Sequence, residues 1–116
     1  MFDVTDDQMV FLTRGDTCAF TLVLLVGSNM CPYRYRIKPN EQLLLGISEP
    51  NSSFEDAILK KVYTYDDINE NGDVIITLNH NDTKCLKEQT YFYSIKLLTE
   101  DGDVETVVDK KRFHII

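Results

Sequence analysis

The sequence predicts an all-β domain, a sandwich of two packed sheets with about seven to nine strands and at most short helical turns. Three observations carry this. Apolar and polar residues alternate with a period of two in several short segments. Turn signals, above all Asn71-Gly72 and Asp101-Gly102, stand between those segments. No long segment sustains a helical period. A chain of 116 residues suits a single domain, residues 1–116, with enough core to fold without metals or disulfides. No linker or internal repeat divides it.

Taken in order, Gln8 to Thr13 reads as a first strand closed by Arg14-Gly15-Asp16. Thr17 to Val26 reads as a second, with Cys18, Phe20, Leu22, Leu24 and Val26 on one face and mostly apolar residues on the other, the pattern of a central strand. Tyr33 to Lys38 alternates cleanly and puts Tyr33, Tyr35 and Ile37 inward; Pro39-Asn40 then turns the chain into Leu43 to Ile47. The next stretch, Asn51 to Thr64, is ambiguous. Ser53 and Asp56 fit a capping box, and Phe54, Ile58, Leu59 and Val62 fit one helical face. The β-branched and aromatic run Lys61-Val62-Tyr63-Thr64-Tyr65 favours a loop followed by a strand from about Ala57 to Thr64. Asn71-Gly72 predicts a type I′ hairpin turn into Val74 to Leu78. Gln89 to Leu98 is the longest late strand, with Tyr91, Tyr93, Ile95 and Leu97 on one face. After Asp101-Gly102, Val104 to Ile116 returns as one strand or a pair.

The polar connection from Asn79 to Glu88 contains one apolar residue, Leu86. Greek-key sandwiches of the immunoglobulin-like kind often plug such a crossover with an apolar side chain and tie it down with a nearby tyrosine hydroxyl. Leu86 and Tyr91 are the candidates for those structural roles, and they sharpen the prediction to an immunoglobulin-like Greek-key β-sandwich.

Composition narrows the function classes. Twelve basic against 19 acidic residues give a formal charge of −7, which disfavours nucleic acid and anionic lipid as partners. No apolar run reaches the length of a membrane span. The N-terminal Met-Phe-Asp-Val-Thr-Asp-Asp is acidic where a secretory signal carries positive charge, so export by a signal peptide is not expected. Three cysteines, Cys18, Cys31 and Cys85, have no metal-knuckle spacing and form an odd set, which points to reduced thiols.

Each motif has a plainer reading beside the functional one. Arg14-Gly15-Asp16 is an integrin-type tripeptide and also an ordinary β-turn; the turn is favoured because Thr17 runs straight into a core strand. Asp67 to Asp73 matches the first half of a calcium loop, but Leu78 stands at the twelfth position, where a bidentate Glu belongs. A hairpin turn is the better reading there, with weak calcium binding left open. His80 and His114, the only histidines, lie far apart in the chain and read as surface or edge residues. Cys85 lacks a strong activator. Phosphate-cradling and nucleophile-elbow motifs are absent, so no catalytic residue, cofactor or metal is expected. Lys60-Lys61 and Lys110-Lys111-Arg112 read as strand-end or edge-guarding charges, and are the places an anionic partner would touch. Tyrosine suits half-wet interfaces, so Tyr33, Tyr35, Tyr63 and Tyr65, with Lys110, Lys111 and Arg112, make up a candidate interaction surface.

The order of these segments resembles a family. Arg14-Gly15-Asp16-Thr17 with Phe20 and Leu22, Lys38-Pro39-Asn40-Glu41 with Leu43 and Leu45, Asp82-Thr83 with Leu86, Tyr91 and Tyr93, and a closing strand from Thr106 to Ile115 together look like the small immunoglobulin-like domains of bacteriophage and prophage tail or baseplate proteins, most nearly the N-terminal domain of baseplate upper proteins. The resemblance implies a non-enzymatic tail-assembly module that contacts other phage structural proteins or self-associates as a homo-oligomer, located in the virion or the host cytoplasm. A free-standing carbohydrate-binding or adhesin-like β-sandwich, with exposed tyrosines and acidic loops holding a sugar, is the alternative expectation.

Overall fold

From Thr90 to Leu98 the alternation gives a strand whose inward residues join one core, whereas the strand expected from Tyr33 to Lys38 runs from Cys31 to Arg34 and stops there. The computed structural model describes residues 2–4, 9–22, 24–28 and 31–116, and the side chains of all of these except 2–4, 25–28 and 31–34. Its strands are β1 (Phe2–Val4), β2 (Val10–Leu12), β3 (Cys18–Leu22), β4 (Leu25–Ser28), β5 (Cys31–Arg34), β6 (Gln42–Ser48), β7 (Leu59–Thr64), β8 (Val74–Leu78), β9 (Thr90–Leu98) and β10 (Val104–Ile115). A 3-10 turn, Tyr65–Asp67, follows β7, and a four-residue helix, α1 (His80–Thr83), follows β8. Among the described residues no helix is long and apolar enough to cross a membrane.

Six strands form the main sheet in the order β1-β2-β10-β9-β6-β7, and β3 pairs with β8 in a second layer. A separate ribbon, β4 with β5, lies between β3 and β6 in the chain. The chain passes between layers at β2→β3, β7→β8 and β8→β9, which gives an all-β, sandwich-like fold of the class expected from the sequence. Neighbours are antiparallel except β2, which runs parallel to β10 through Val10, Phe11 and Leu12.

The core follows from the pleat. Tyr91, Tyr93, Ile95 and Leu97 of β9 face inward with Leu43, Leu45 and Ile47 of β6, and meet Cys18, Val74, Ile76 and Leu78 of the second layer. Each large side chain so buried contributes roughly 1.5–3 kcal/mol before entropy is counted. The Tyr93 and Phe113 rings meet edge to face at 6.1 Å.

Two expectations are corrected, and two points left open are resolved. The strand expected from Thr17 to Val26 is two, β3 and β4, and Ala19 and Thr21, of opposite parity to the buried Cys18, face outward and are exposed. An apolar run carries no phase, so the break leaves no mark in the sequence. The hairpin at Asn71-Gly72 is not type I′. Asn69 O accepts from Gly72 N at 3.0 Å, Asn69 N donates to Asp73 O at 2.9 Å, and only Gly72 has positive φ (83°), the pattern of a three-residue loop with a bulge. Thr99-Glu100-Asp101-Gly102-Asp103 repeats the device, with Thr99 N donating to Asp103 O at 2.9 Å and Gly102 at φ 87°. In the ambiguous stretch, residues 51–58 are turns and the strand begins at Leu59. Finally, β10 is a single strand with register shifts between Thr106 and Val108 and between Val108 and Lys111.

Candidate functional site

The outward residues of the main sheet form one continuous face, and the pairing places them in rows. Val62 of β7 lies opposite Leu44 of β6, which lies opposite Lys96 of β9. In the next row Thr64, Gln42, Leu98 and Val104 run across β7, β6, β9 and β10. Val62 and Val104 are 53% and 55% exposed, so this end of the face is an apolar strip with a polar rim. β7 is one of the two edge strands of the sheet, β1 being the other, and its far side has no hydrogen-bonded neighbour among the described strands.

The middle of the face is covered. The loop after β6 lays the Phe54 ring across Gly46, so close that a Cβ there would sit 2.7 Å from the ring. Lys96 Nζ caps the same ring, 4.4 Å from its centre. Ser53 Oγ donates to Asp56 Oδ2 at 3.0 Å; the pair that resembled a helix cap instead closes this turn.

At the other end lies a pocket of about 360 Å³ lined by Ser48, Glu49, Pro50, Asn51, Ser52, Phe92 and Lys110. Its Lys110 sits where β10 bulges, and Lys110 N donates to Ser94 Oγ at 3.1 Å. Asn51 (φ 71°) and Lys110 (φ 46°) are the only non-glycine residues with positive φ among the described residues, and both line this pocket. Asparagine tolerates this region at little cost, lysine does so at a cost on the order of 1–3 kcal/mol, and strained positions of that kind concentrate at functional sites.

The sequence-derived candidates fall in different places. Tyr63 is not on the surface. It is 3% exposed, its hydroxyl donates to Thr77 O at 2.7 Å, and burial pushes its pKa far above the ordinary tyrosine value. Its inward parity on β7 is shared with Leu59, and the hydroxyl is satisfied by β8, which is how a tyrosine becomes core. Tyr35 is half-buried; its hydroxyl donates to the buried Glu41 carboxylate at 2.6 Å, and burial, then that bond, raise its pKa to about 12. Glu41 Oε1 also accepts from Lys38 N at 2.9 Å, so the pair locks the Lys38-Pro39-Asn40-Glu41 turn. Tyr65 is exposed in the 3-10 turn, and the side chain of Tyr33 lies outside the described residues. Lys110 reaches the pocket, and Arg112 lies opposite Phe92 on the same face, while Lys111 is half-buried opposite Tyr93.

Leu86 is 4% exposed, and Lys87 N donates to the Tyr91 hydroxyl at 2.9 Å. The crossover also holds the Arg14-Gly15-Asp16 turn. Arg14 Nε donates to Lys84 O at 3.2 Å, His80 Nδ1 lies 2.6 Å from Gly15 O, and Thr83 Oγ1 donates to Asp16 O at 2.8 Å. The tripeptide is thus a clamped β-turn with Gly15 at φ 82°. In the acidic loop, Asp67 Oδ2 accepts from Thr64 N and Asn69 Oδ1 from Asn71 N and Asp73 N, so both side chains serve the backbone. Cys18 is buried, which raises its thiol to about 11, and Cys85 is exposed. His114 stacks on Phe11 at 4.6 Å and bonds Thr90 Oγ1 at 2.9 Å.

Sequence reasoning missed Val62 and Val104 as surface residues and, Lys110 apart, the lining of the pocket. Strand parity alone could have set Leu44, Val62, Phe92 and Leu98 on the outward face; no sequence signal marks the left-handed Lys110. Comparison with protein-family models, with curated proteins and with solved structures found no match.

Proposed function

We propose that this chain is a non-enzymatic assembly module of a phage or prophage tail, working through contacts between protein surfaces. The observation that carries the reading is the apolar strip of Val62, Leu44, Leu98 and Val104 beside the open edge of β7. Water meets Val62 on the edge strand itself and Val104 on β10, three strands further in, each more than half exposed, and a neighbouring subunit that packs on the strip and adds a strand at β7 would cover both. Lys60 and Lys61 on β7 set the specificity: Lys61 Nζ is held by Asp82 at 3.1 Å, whereas Lys60 Nζ reaches the Glu55 carbonyl, at 2.8 Å, and can turn to a partner carboxylate. The tail assignment draws on the resemblance in segment order.

Light scattering across a concentration series tests the surface. Mass should rise with concentration, and Val62→Glu with Val104→Glu should remove that rise without unfolding the chain. A strict monomer that also retains no structural protein in a pull-down of the native complex would sink the reading.

A further inference from the structure

We propose that the pocket between the 48–52 loop and the bulge at Lys110 binds a neutral saccharide, a site separate from the assembly strip. Three observations converge on it. The first is shape: about 360 Å³ lies within the range of small-ligand sites, roughly 300–1,000 Å³, and suits one or two pyranose rings. The second is the backbone. Left-handed conformation favours glycine, and asparagine tolerates it, but lysine gains nothing from it. Asn51 and Lys110 adopt it on the two segments that flank the pocket, and the fold keeps a lysine there, at the rim, where glycine would fit with less strain.

The third is the chemistry of the lining. Phe92 offers an aromatic surface to the apolar C–H face of a sugar ring. Ser48, Ser52 and Asn51 bring groups that both donate and accept, Glu49 accepts, and Lys110 donates. One carboxylate and one ammonium cancel, so an anion would meet Glu49 and a cation would meet Lys110. A polyhydroxyl ligand without charge satisfies both. Phe92 and Leu98 are six residues apart on β9, about 20 Å along the strand, so a sugar here leaves the strip beside Val62 free.

The test is an NMR titration of the isotope-labelled full chain with lactose, maltotriose and chitotriose. Amide shifts confined to residues 48–52, 92 and 109–111 are expected for at least one sugar. Phe92→Ala should weaken that binding about tenfold or more, and Phe92→Tyr should keep it. Should Phe92→Ala fail to fold, Glu49→Ala on the exposed loop reports instead, with loss of binding expected. Val62→Glu should leave sugar binding unchanged while it abolishes self-association, which separates this site from the assembly reading. Absence of shifts with all three sugars, shifts centred on Val62 and Leu98, or affinity indifferent to both Phe92 and Glu49 would overturn the proposal.

Discussion

The connection after β6 and the connection after β8 begin alike and end differently. Ser53-Phe54-Glu55-Asp56 and Asn79-His80-Asn81-Asp82 both place a capping residue three positions before an aspartate. In the second, Asp82 Oδ2 accepts from Asn79 N at 2.9 Å, Lys84 N bonds back to His80 O, and a helical turn forms. In the first, the two side chains bond each other and the backbone makes successive turns. The residues beyond the cap make the difference. Thr83 and Leu86 drop into the core, so the helical turn is held from below, whereas Phe54 reaches out over the sheet and rests on Gly46. A capping signal makes a helix only where tertiary contacts hold the next turn in place.

Several measurements would break or sharpen that contrast. The largest effect belongs to the crossover: Leu86→Ala should lower unfolding free energy by about 2–4 kcal/mol in denaturant titration, since it opens a cavity under α1. Gly46→Ala should cost about 1–3 kcal/mol by driving a methyl into the Phe54 ring. In a Phe54→Ala background the same change should be nearly neutral, and a double-mutant cycle without coupling would refute the contact. Tyr91→Phe, which strips the Lys87 amide of its acceptor, should cost about 1–1.5 kcal/mol. Asn51→Gly should raise stability by about 0.5 kcal/mol, because glycine relieves the left-handed backbone.

Alkaline pH separates the two connections by a different route. Burial raises Tyr93, and burial with the Glu41 bond raises Tyr35, from 10.0 to about 12, and Tyr63 moves in the same direction. Folded values above the unfolded ones mean a contribution complete below pH 10 and lost as pH climbs through about 12. Denaturant midpoints should therefore fall in that window, with Tyr93→Phe flattening the fall. The Tyr63 hydroxyl ties β7 to Thr77 just ahead of the crossover, so amide exchange there should quicken before exchange in the 49–58 loop changes its pH response.

Much of the architecture was legible in the residues. β9 alternates without a fault because one of its faces is core and the other is not, and that asymmetry is what period-two patterning records. The dipeptides Asn71-Gly72 and Asp101-Gly102 announced hairpins, although not their type, since in each only the glycine takes positive φ. Where both faces are apolar, as from Phe20 to Leu25, phase vanished and so did the boundary between β3 and β4. The candidate site was less visible. Tyrosine identity could not distinguish Tyr63, whose hydroxyl finds a carbonyl in the opposite layer, from Tyr65, whose ring stays in water. Lys110 joined the pocket only through a bulge, and bulges depend on how two distant strands align.

The position of β10 has one last implication. It lies between β2 and β9, and Phe113 pairs with Val10 about a hundred positions earlier in the chain. On a ribosome, β1 and β2 would emerge long before the ribbon that seats them, and the edge of β9 would wait open for the same arrival. Productive folding is therefore a late event for this topology, and any translational stall before Val104 would leave two adhesive margins for chaperones to shield.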